Sequence, residues 1–389
     1  MDFGSIKPDG VKVLDRPAEA NPSGKNDLNS SSIDFGRTDR PRLIVFMPAP
    51  ANTTPSQRFR WEMWTPLLQE VVDVETVFIH SSDAGSFSGT FGKRLMDYRS
   101  AIRYIRSGVL RGAHVVIQRR LGRLGWPFLE KAVLNAGCRA VYFDLDDAVF
   151  ISVLASRSRV KTFVKRCLNY TKFLMRNTDL SFCGNEWLAD NVRAVGRPAI
   201  VAPTTVELQE CKQQRDSGPL VIGWSGSKTT VRYIQELLPQ LEKLRHNFDF
   251  KLLVIGGSVS SSSIDVECRP WRAQTEYDDI RSIDIGLMPL PHFEWSKGKC
   301  ALKALQYMSH GIPTVASDFG ANRDVITPGE SGLLASETDW CEQLASLLQS
   351  SDLRHRLGGA GHEVVRARYT PAAVVPTILG TLNEYDRKD

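Results

Sequence analysis

DIGLMPLPHFEWSKGKCALKALQYMSHGIPTVAS, residues 284–317, reads as a strand, a turn, a helix and a second strand. The runs DIGLMPL and PTVAS are short, apolar and bounded by Pro or Gly, the pattern of buried strands. Between them Lys299, Lys303, Gln306 and His310 fall at i, i+4, i+7 and i+11. That spacing predicts one narrow helical stripe, with Ala301, Leu302, Leu305 and Met308 on the opposite side. Gly311 and Pro313 end the helix and lead into the strand.

The alternation continues outward in both directions. LVIGWSG, FKLLVIGG and VECRPW precede this stretch and GLLAS follows it. Further back, RLIVFMPA, VETVFIH, HVVIQRR, RAVYFDLDD, LSFCGN and AIVAPT are separated by longer helical segments, the mark of a parallel sheet wrapped by helices. The polar run TVELQECKQQRDSGP divides the two series. The expected organisation is a flexible Ser/Asn/Gly/Pro-rich leader over 1–40, an N-terminal Rossmann-like domain over 41–205, a linker over 206–219 and a C-terminal Rossmann-like domain over 220–372. A last amphipathic helix over 373–389 is expected to pack back on the N-terminal domain. Ligands of open parallel sheets bind beyond the carboxyl ends of the strands, so the loops after Gly226, Gly257, Trp271 and Leu290 should share one edge.

A chain of 389 residues is long enough for two such cores. No apolar run approaches the roughly 20 residues of a membrane-spanning helix, and the start of the chain lacks a secretory signal's apolar core. The expectation is a cytoplasmic protein. Seven cysteines (Cys138, Cys167, Cys183, Cys211, Cys268, Cys300 and Cys341) show no metal-ligand spacing, so they read as reduced thiols and no metal site is expected. A net charge of +5 without aromatic-interleaved basic runs gives no reason to expect nucleic acid.

Two turns have the chemistry of an anion seat. The turn at Gly298 opens a helix whose first backbone N–H groups lack intrahelical partners, and Lys299 and Lys303 stand beside it. IGWSGSKTTVRYI, residues 222–234, offers Gly226 and Ser227 as a close-approach turn, with Lys228 and Arg232 at i and i+4. Plain readings fit the same residues: an amphipathic helix with a solvated basic face for the first, ordinary turn punctuation for the second.

WSKGKCALKALQYMSHGIPTVASDFGANRDVI with GESGLLA resembles the donor-binding signature of retaining GT-B glycosyltransferases, the superfamily that includes sucrose and glycogen synthases. VECRPWRAQTEYDDIRSIDIGLMPL resembles its nucleotide-side segment, and LSFCGNEWLADNVR with VAPTTVE the end of its N-terminal domain. The resemblance covers roughly residues 42–389 and is strongest over 220–337. It implies an α/β GT-B fold, two Rossmann-like domains with parallel sheets facing a central cleft. It also implies a nucleotide-diphosphate sugar as co-substrate, transfer with retention to a glycan, lipid-linked saccharide or small-molecule hydroxyl, and neither metal nor other cofactor.

Carried onto this sequence, the resemblance places Gly226, Ser227, Lys228, Trp271, Gly298, Cys300, Ala301, Lys303 and Gln306 on the donor, with Lys299 and Arg232 as catalytic cations. Two glutamates usual in the superfamily are replaced here by Gly298 and Gln306, and a usual arginine by Ser227. Gln306 can hydrogen-bond a ribose but cannot act as acid or base. A usual histidine after the third N-terminal strand also has no equivalent, since Gln118, Arg119 and Arg120 stand there.

On the acceptor side, FDLDDAVF supplies Asp144, Asp146 and Asp147, with Asp146 read as a catalytic carboxylate that would orient the acceptor hydroxyl. A helix-capping and turn cluster gives the same pattern. Arg58 and Arg60 would meet an anionic acceptor or a donor phosphate, and equally fit surface charges; Arg119 joins the acceptor side. Over residues 157–176, Arg157, Lys161, Lys165, Lys172 and Arg176 share a face opposite Val160, Phe163, Cys167, Tyr170 and Leu174. Such a face fits an anionic membrane surface, with the chain peripheral at the inner membrane, and fits a solvated helix as well. The competing functions are a catalytically silent GT-B binding or scaffold protein and a nucleotide-sugar epimerase or hydrolase.

Overall fold

The computed structural model describes residues 40–79, 91–122, 126–151, 170–213, 215 and 218–387, with 91–96 described as backbone only. The leader expected over 1–40 therefore falls almost wholly outside the described residues. The chain divides into two compact units: Met1–Ala202 with Val375–Asp389, and Pro203–Val374.

The first unit is built on six parallel strands, β1 (Arg42–Met47), β2 (Asp73–Phe78), β3 (His114–Gln118), β4 (Ala140–Leu145), β5 (Leu180–Cys183) and β6 (Ala199–Val201), in the order β2-β1-β3-β4-β5-β6. Every residue of β3, β4 and β5 is buried. Their mainly apolar composition is what a parallel sheet covered on both faces requires. Its helices include α1 (Phe91–Arg106), α2 (Phe128–Leu134), α3 (Tyr170–Asn177) and α4 (Glu186–Arg193). The start of α4 is capped by Asn185, whose Oδ1 accepts from Leu188 N at 2.9 Å. Between β1 and β2 a helical stretch is interrupted at Phe59 (φ −88, ψ 16) and Arg60 (φ −137, ψ −107), and this break delivers the Arg60 side chain to the core.

The second unit repeats the plan with β7 (Leu220–Ser225), β8 (Phe250–Ile255), β9 (Asp265–Arg269), β10 (Ile285–Met288), β11 (Thr314–Ser317) and β12 (Leu333–Ala335), all parallel, in the order β12-β11-β10-β7-β8-β9. Helices α5 (Val231–Arg245), α6 (Glu276–Arg281), α7 (Leu302–Ser309), α8 (Trp340–Gln349) and α9 (Ser351–Arg368) accompany it. Trp224, Ile234, Leu237, Leu241, Leu252, Val254, Leu344 and Leu347 fill one core between sheet and helices. Each such side chain contributes about 1.5–3 kcal/mol by leaving water. The strand order reverses between β7 and β10, which pair at Ile285↔Ile222 and Gly286↔Gly223. The crevice outside the carboxyl ends at such a reversal is where doubly wound sheets bind ligands.

The stretch read as a linker is held to the second unit by its backbone: Val206 N donates to Tyr369 O (2.9 Å), Gln209 N to Ser309 O (3.1 Å) and Lys212 N to His310 O (2.8 Å). The last helix, α10 (Pro371–Asp386), starts in the second unit and ends in the first. There Tyr385 Oη donates to Asp179 O at 3.1 Å, and Asp386 pairs with Arg139 and with His114 Nε2 at 3.2 Å. Among the described residues no helix is long and apolar enough to cross a membrane.

Candidate functional site

The β7/β10 reversal is braced from behind by one residue. Tyr307 of α7 is fully buried, its ring occupies the space that a Cβ on Gly286 of β10 would need (2.4 Å), and its hydroxyl accepts from Ser225 N of β7 at 2.8 Å. Helix α7 is thereby fixed to both strands at once. Its first turn follows Ala301, a left-handed non-glycine residue (φ 51, ψ 25), and no side chain caps it. The amides of that turn consequently lack intrahelical acceptors.

This corrects the helical stripe expected from spacing. Gly298 closes a short turn (Glu294–Gly298), Lys299 is extended (φ −75, ψ 144), and the helix begins only at Leu302. Lys299 is therefore not on the helix, and its ammonium lies 5.3 Å from the centroid of the Trp295 ring. Gln306 and His310 are buried, so the solvated basic face is absent. Burial holds the His310 imidazole below its ordinary pKa, favouring the neutral ring.

The loop after β7 meets the one after β8. Gly226 N donates to Ile255 O at 2.9 Å, and Gly256 adopts φ +79 with its Cα hydrogen pressed on Gly226 O, where a Cβ would come within 2.3 Å. Only glycine supplies that backbone and that closeness. Ser227 and Lys228 are exposed on the turn before α5. Arg232 is exposed at the first turn of α5, with its guanidinium 5.1 Å from the Tyr233 ring centroid, and Tyr233 lies 6.5 Å from the Trp295 ring. One aromatic cluster thus joins the two cations, Arg232 and Lys299, read as catalytic. Beside it a cavity of about 210 Å³ is lined by Tyr233, Leu290, His292, Ser317, Ser336 and Trp340 among others.

Sequence reading missed Glu276, the first residue of α6. It is buried, and its Oε1 accepts from Trp271 Nε1 (3.1 Å) and Gln306 Nε2 (3.0 Å). Lys303 Nζ donates to Gln306 Oε1 at 2.8 Å and stands 3.7 Å from Glu276. Trp271, Glu276, Gln306 and Lys303 form one network, so a carboxylate is present beside Gln306 after all, supplied by another element. The only sequence signal was an acidic residue directly after Thr275 in TEYDDI, which reads as the acidic first turn of a helix.

In the first unit the three aspartates lie at the carboxyl end of β4, and they are paired. Arg60 Nε donates to both oxygens of Asp144 (3.1 and 3.0 Å), its Nη2 also reaches Asp144, and its Nη1 donates to Ala202 O at 2.6 Å. Neither Arg60 nor Asp144 has an exposed side chain. The expectation of a cation and a carboxylate open to an acceptor is corrected for this pair, because a charge this deep is stable only with its partner. Arg119, left-handed just after β3 (φ 57), forks onto Asp146 (2.6 and 2.9 Å) and lies 3.8 Å from Asp147. Asp147 also caps its own turn, accepting from Ala148 N at 2.9 Å. Arg58 is half-buried with its guanidinium 4.9 Å from the Phe59 ring centroid. Of the basic face expected over 157–176, residues 152–169 lie outside the described residues; within α3, Lys172 and Arg176 are exposed and Leu174 is buried. No group of three or more His, Cys, Asp or Glu side chains placed to hold a metal occurs among the described residues.

Residues 219–350 match the family model described as Glycosyl transferases group 1. They form a group 1 glycosyltransferase domain. This domain carries every donor-side residue discussed above, from Gly226 to Gln306. Solved structures extend the likeness along the chain. Sucrose-phosphate synthase from Thermosynechococcus elongatus superposes with a TM-score of 0.66 at 13% identity, over 89% of this chain and 98% of that one. HepE of Anabaena, in complex with UDP and glucose, gives 0.59 at 11% identity, over 87% and 98%. The lipopolysaccharide outer core galactosyltransferase WaaB, in its apo form, gives 0.58 at 14% identity, over 88% and 99%. At these identities the likeness establishes the fold, which is GT-B. No curated protein matches the sequence.

Proposed function

We propose that the group 1 domain binds a nucleotide-diphosphate sugar at the β7/β10 reversal and that the chain transfers its glycosyl group to a hydroxyl acceptor. The observation that carries this reading is the uncapped first turn of α7 at the reversal, with Lys299 before it and Lys303 within it. Backbone amides and fixed cations at a helix start stabilise a departing diphosphate, whose negative charge grows as the glycosidic bond breaks. Gly226 and Gly256 keep the neighbouring loop free of side chains, Lys228 and Arg232 supply further positive charge, and Gln306, held between Lys303 and Glu276, is our candidate for the ribose side.

In the reaction, the bond from the anomeric carbon to the phosphate oxygen breaks and a bond to the acceptor oxygen forms. The acceptor proton passes to an oxygen of the departing diphosphate, on the same face of the sugar, so configuration is retained. This route uses neither a metal nor a protein carboxylate at positions 298 and 306, which fits the Gly298 and Gln306 found there. HepE holds UDP and glucose, which supports a donor of that class. Asp146, Asp147 and Arg119, joined at the carboxyl end of the first unit's sheet, are our candidates for orienting a glycan or lipid-linked acceptor.

A silent donor-binding scaffold is the second reading, favoured by the loss of both glutamates. Thermal shift with a panel of nucleotide diphosphates and their sugars, followed by product analysis, separates the two. Ligand at about 100 times its Kd stabilises by roughly 2.7 kcal/mol, and Lys299→Ala is expected to lose most of that shift. Stabilisation without transfer to any acceptor supports the scaffold, and no stabilisation by any nucleotide refutes the donor site.

A further inference from the structure

Trp126 and Phe128 are 55% and 56% exposed, two large aromatic side chains side by side with ring centroids 6.3 Å apart. Such a pair on a surface calls for an occupant, since isolated apolar residues are common but adjacent, half-exposed aromatic rings at one helix start are not. The helix that carries Phe128 is tied to the loop before it. Glu130 of α2 is buried and its Oε1 accepts from Leu121 N (2.9 Å) and Gly122 N (3.0 Å), which ties the helix start to the loop after β3. A Cβ on Gly122 would lie 3.2 Å from the Tyr170 ring and 3.6 Å from Trp126 O, so α3 packs on the same loop. Lys131 of α2 places its ammonium 5.9 Å from the centroid of the Phe173 ring of α3.

Exposed cations stand on the same loop and on the two helices that pack against it. Arg120, Lys131, Lys172 and Arg176 are exposed on this loop and these two helices. Glu130 is the single acid between residues 118 and 143, it is buried, and α3 has no acid. Residues 152–169, which run into α3, add five cations and no acid in sequence. Neutral sugar acceptors would use the rings without needing the cations. A layer of anionic headgroups over an apolar interior uses both, rings at the interface and cations on the phosphates.

We propose that the Trp126/Phe128 pair with Arg120, Lys131, Lys172 and Arg176 forms a docking surface for an anionic lipid bilayer. The inference does not depend on the donor chemistry of the group 1 domain. Full-length protein is mixed with vesicles of phosphatidylcholine alone or with an equal part of phosphatidylglycerol, and the bound fraction is measured by co-sedimentation. Binding is expected only with phosphatidylglycerol and is expected to fall as salt rises. Trp126→Ala/Phe128→Ala should weaken it about tenfold or more, and Lys131→Gln should weaken it by about fivefold, as should Lys172→Gln. The aromatic substitutions are at exposed positions, and an unchanged melting temperature and nucleotide-induced shift would certify the fold. Equal binding to both vesicle types, equal binding by the double alanine variant, or no binding at all overturns the proposal. So does a double alanine variant that keeps vesicle binding but loses transfer to a soluble glycan, which would make the pair a sugar platform.

Discussion

Replacing Asp144 by asparagine should be among the most damaging single changes in the first unit. Arg60 is fully buried, three of its hydrogen bonds run to Asp144, one runs to Ala202 O, and its guanidinium lies 4.6 Å from the Trp64 ring centroid. An asparagine keeps the volume but removes the countercharge and turns one amide end toward the guanidinium donors. Leaving a buried charge without its partner costs about 3–5 kcal/mol. In a unit of this size about 1 kcal/mol moves the melting temperature by roughly 2–4 °C, so Asp144→Asn should melt roughly 6–20 °C lower. Urea unfolding followed by tryptophan fluorescence is suited to the measurement, because Trp61 and Trp64 are buried around the pair. The double variant Arg60→Met/Asp144→Leu removes both charges and should return to within about 1 kcal/mol of the parent or exceed it. A loss below about 1 kcal/mol in Asp144→Asn, or a double variant as unstable as the single one, would refute the reasoning. A stable double variant that retains glycosyl transfer would confine the pair to a structural part.

Glu276→Ala removes the acceptor shared by Trp271 and Gln306 and should cost about 1–3 kcal/mol, since the Gln306 amide is buried while Trp271 can turn to water. A double-mutant cycle with Gln306→Met should show coupling of about 1 kcal/mol, and additivity within about 0.5 kcal/mol would disconnect the two. His310 is buried and its folded pKa lies below the ordinary 6.5, mainly through burial. The unfolded chain then binds the proton more readily, so this residue's contribution to stability is present above pH 6.5 and is lost as pH falls through the lower folded value. Chemical denaturation between pH 7 and pH 5 should show the decline, and a decline of the same size in His310→Asn would discount it.

The strands were legible because parallel strands buried on both faces leave mainly apolar runs, as in AVYFDL and LSFC, each broken by a single polar residue, Asp144 and Ser181. Helix α10 was equally plain from its spacing. What the sequence concealed depends on partners far along the chain. Arg60 and Asp144 are 84 residues apart and Gln306 and Glu276 are 30 apart, so no local pattern marks either pair as a buried contact. Lys299 was assigned to the helix because nothing in KCALK signals that Ala301 takes a left-handed conformation, which alanine seldom does. The glycines of the β7 and β8 loops were visible as a turn, but their mutual approach became apparent only when the loops were brought together.

Tyr307 and Gly286 set a rule for exchanging parts between relatives of this fold. The ring fits only where residue 286 has no side chain, and its hydroxyl is tied to β7. A chimera that imports β10 from another protein without α7 would bring a Cβ into the ring or leave a void beneath it. Recombination to alter donor preference should therefore place its crossover points outside residues 220–309 and move that block whole, or else alter only the loops after β8, β9 and β10.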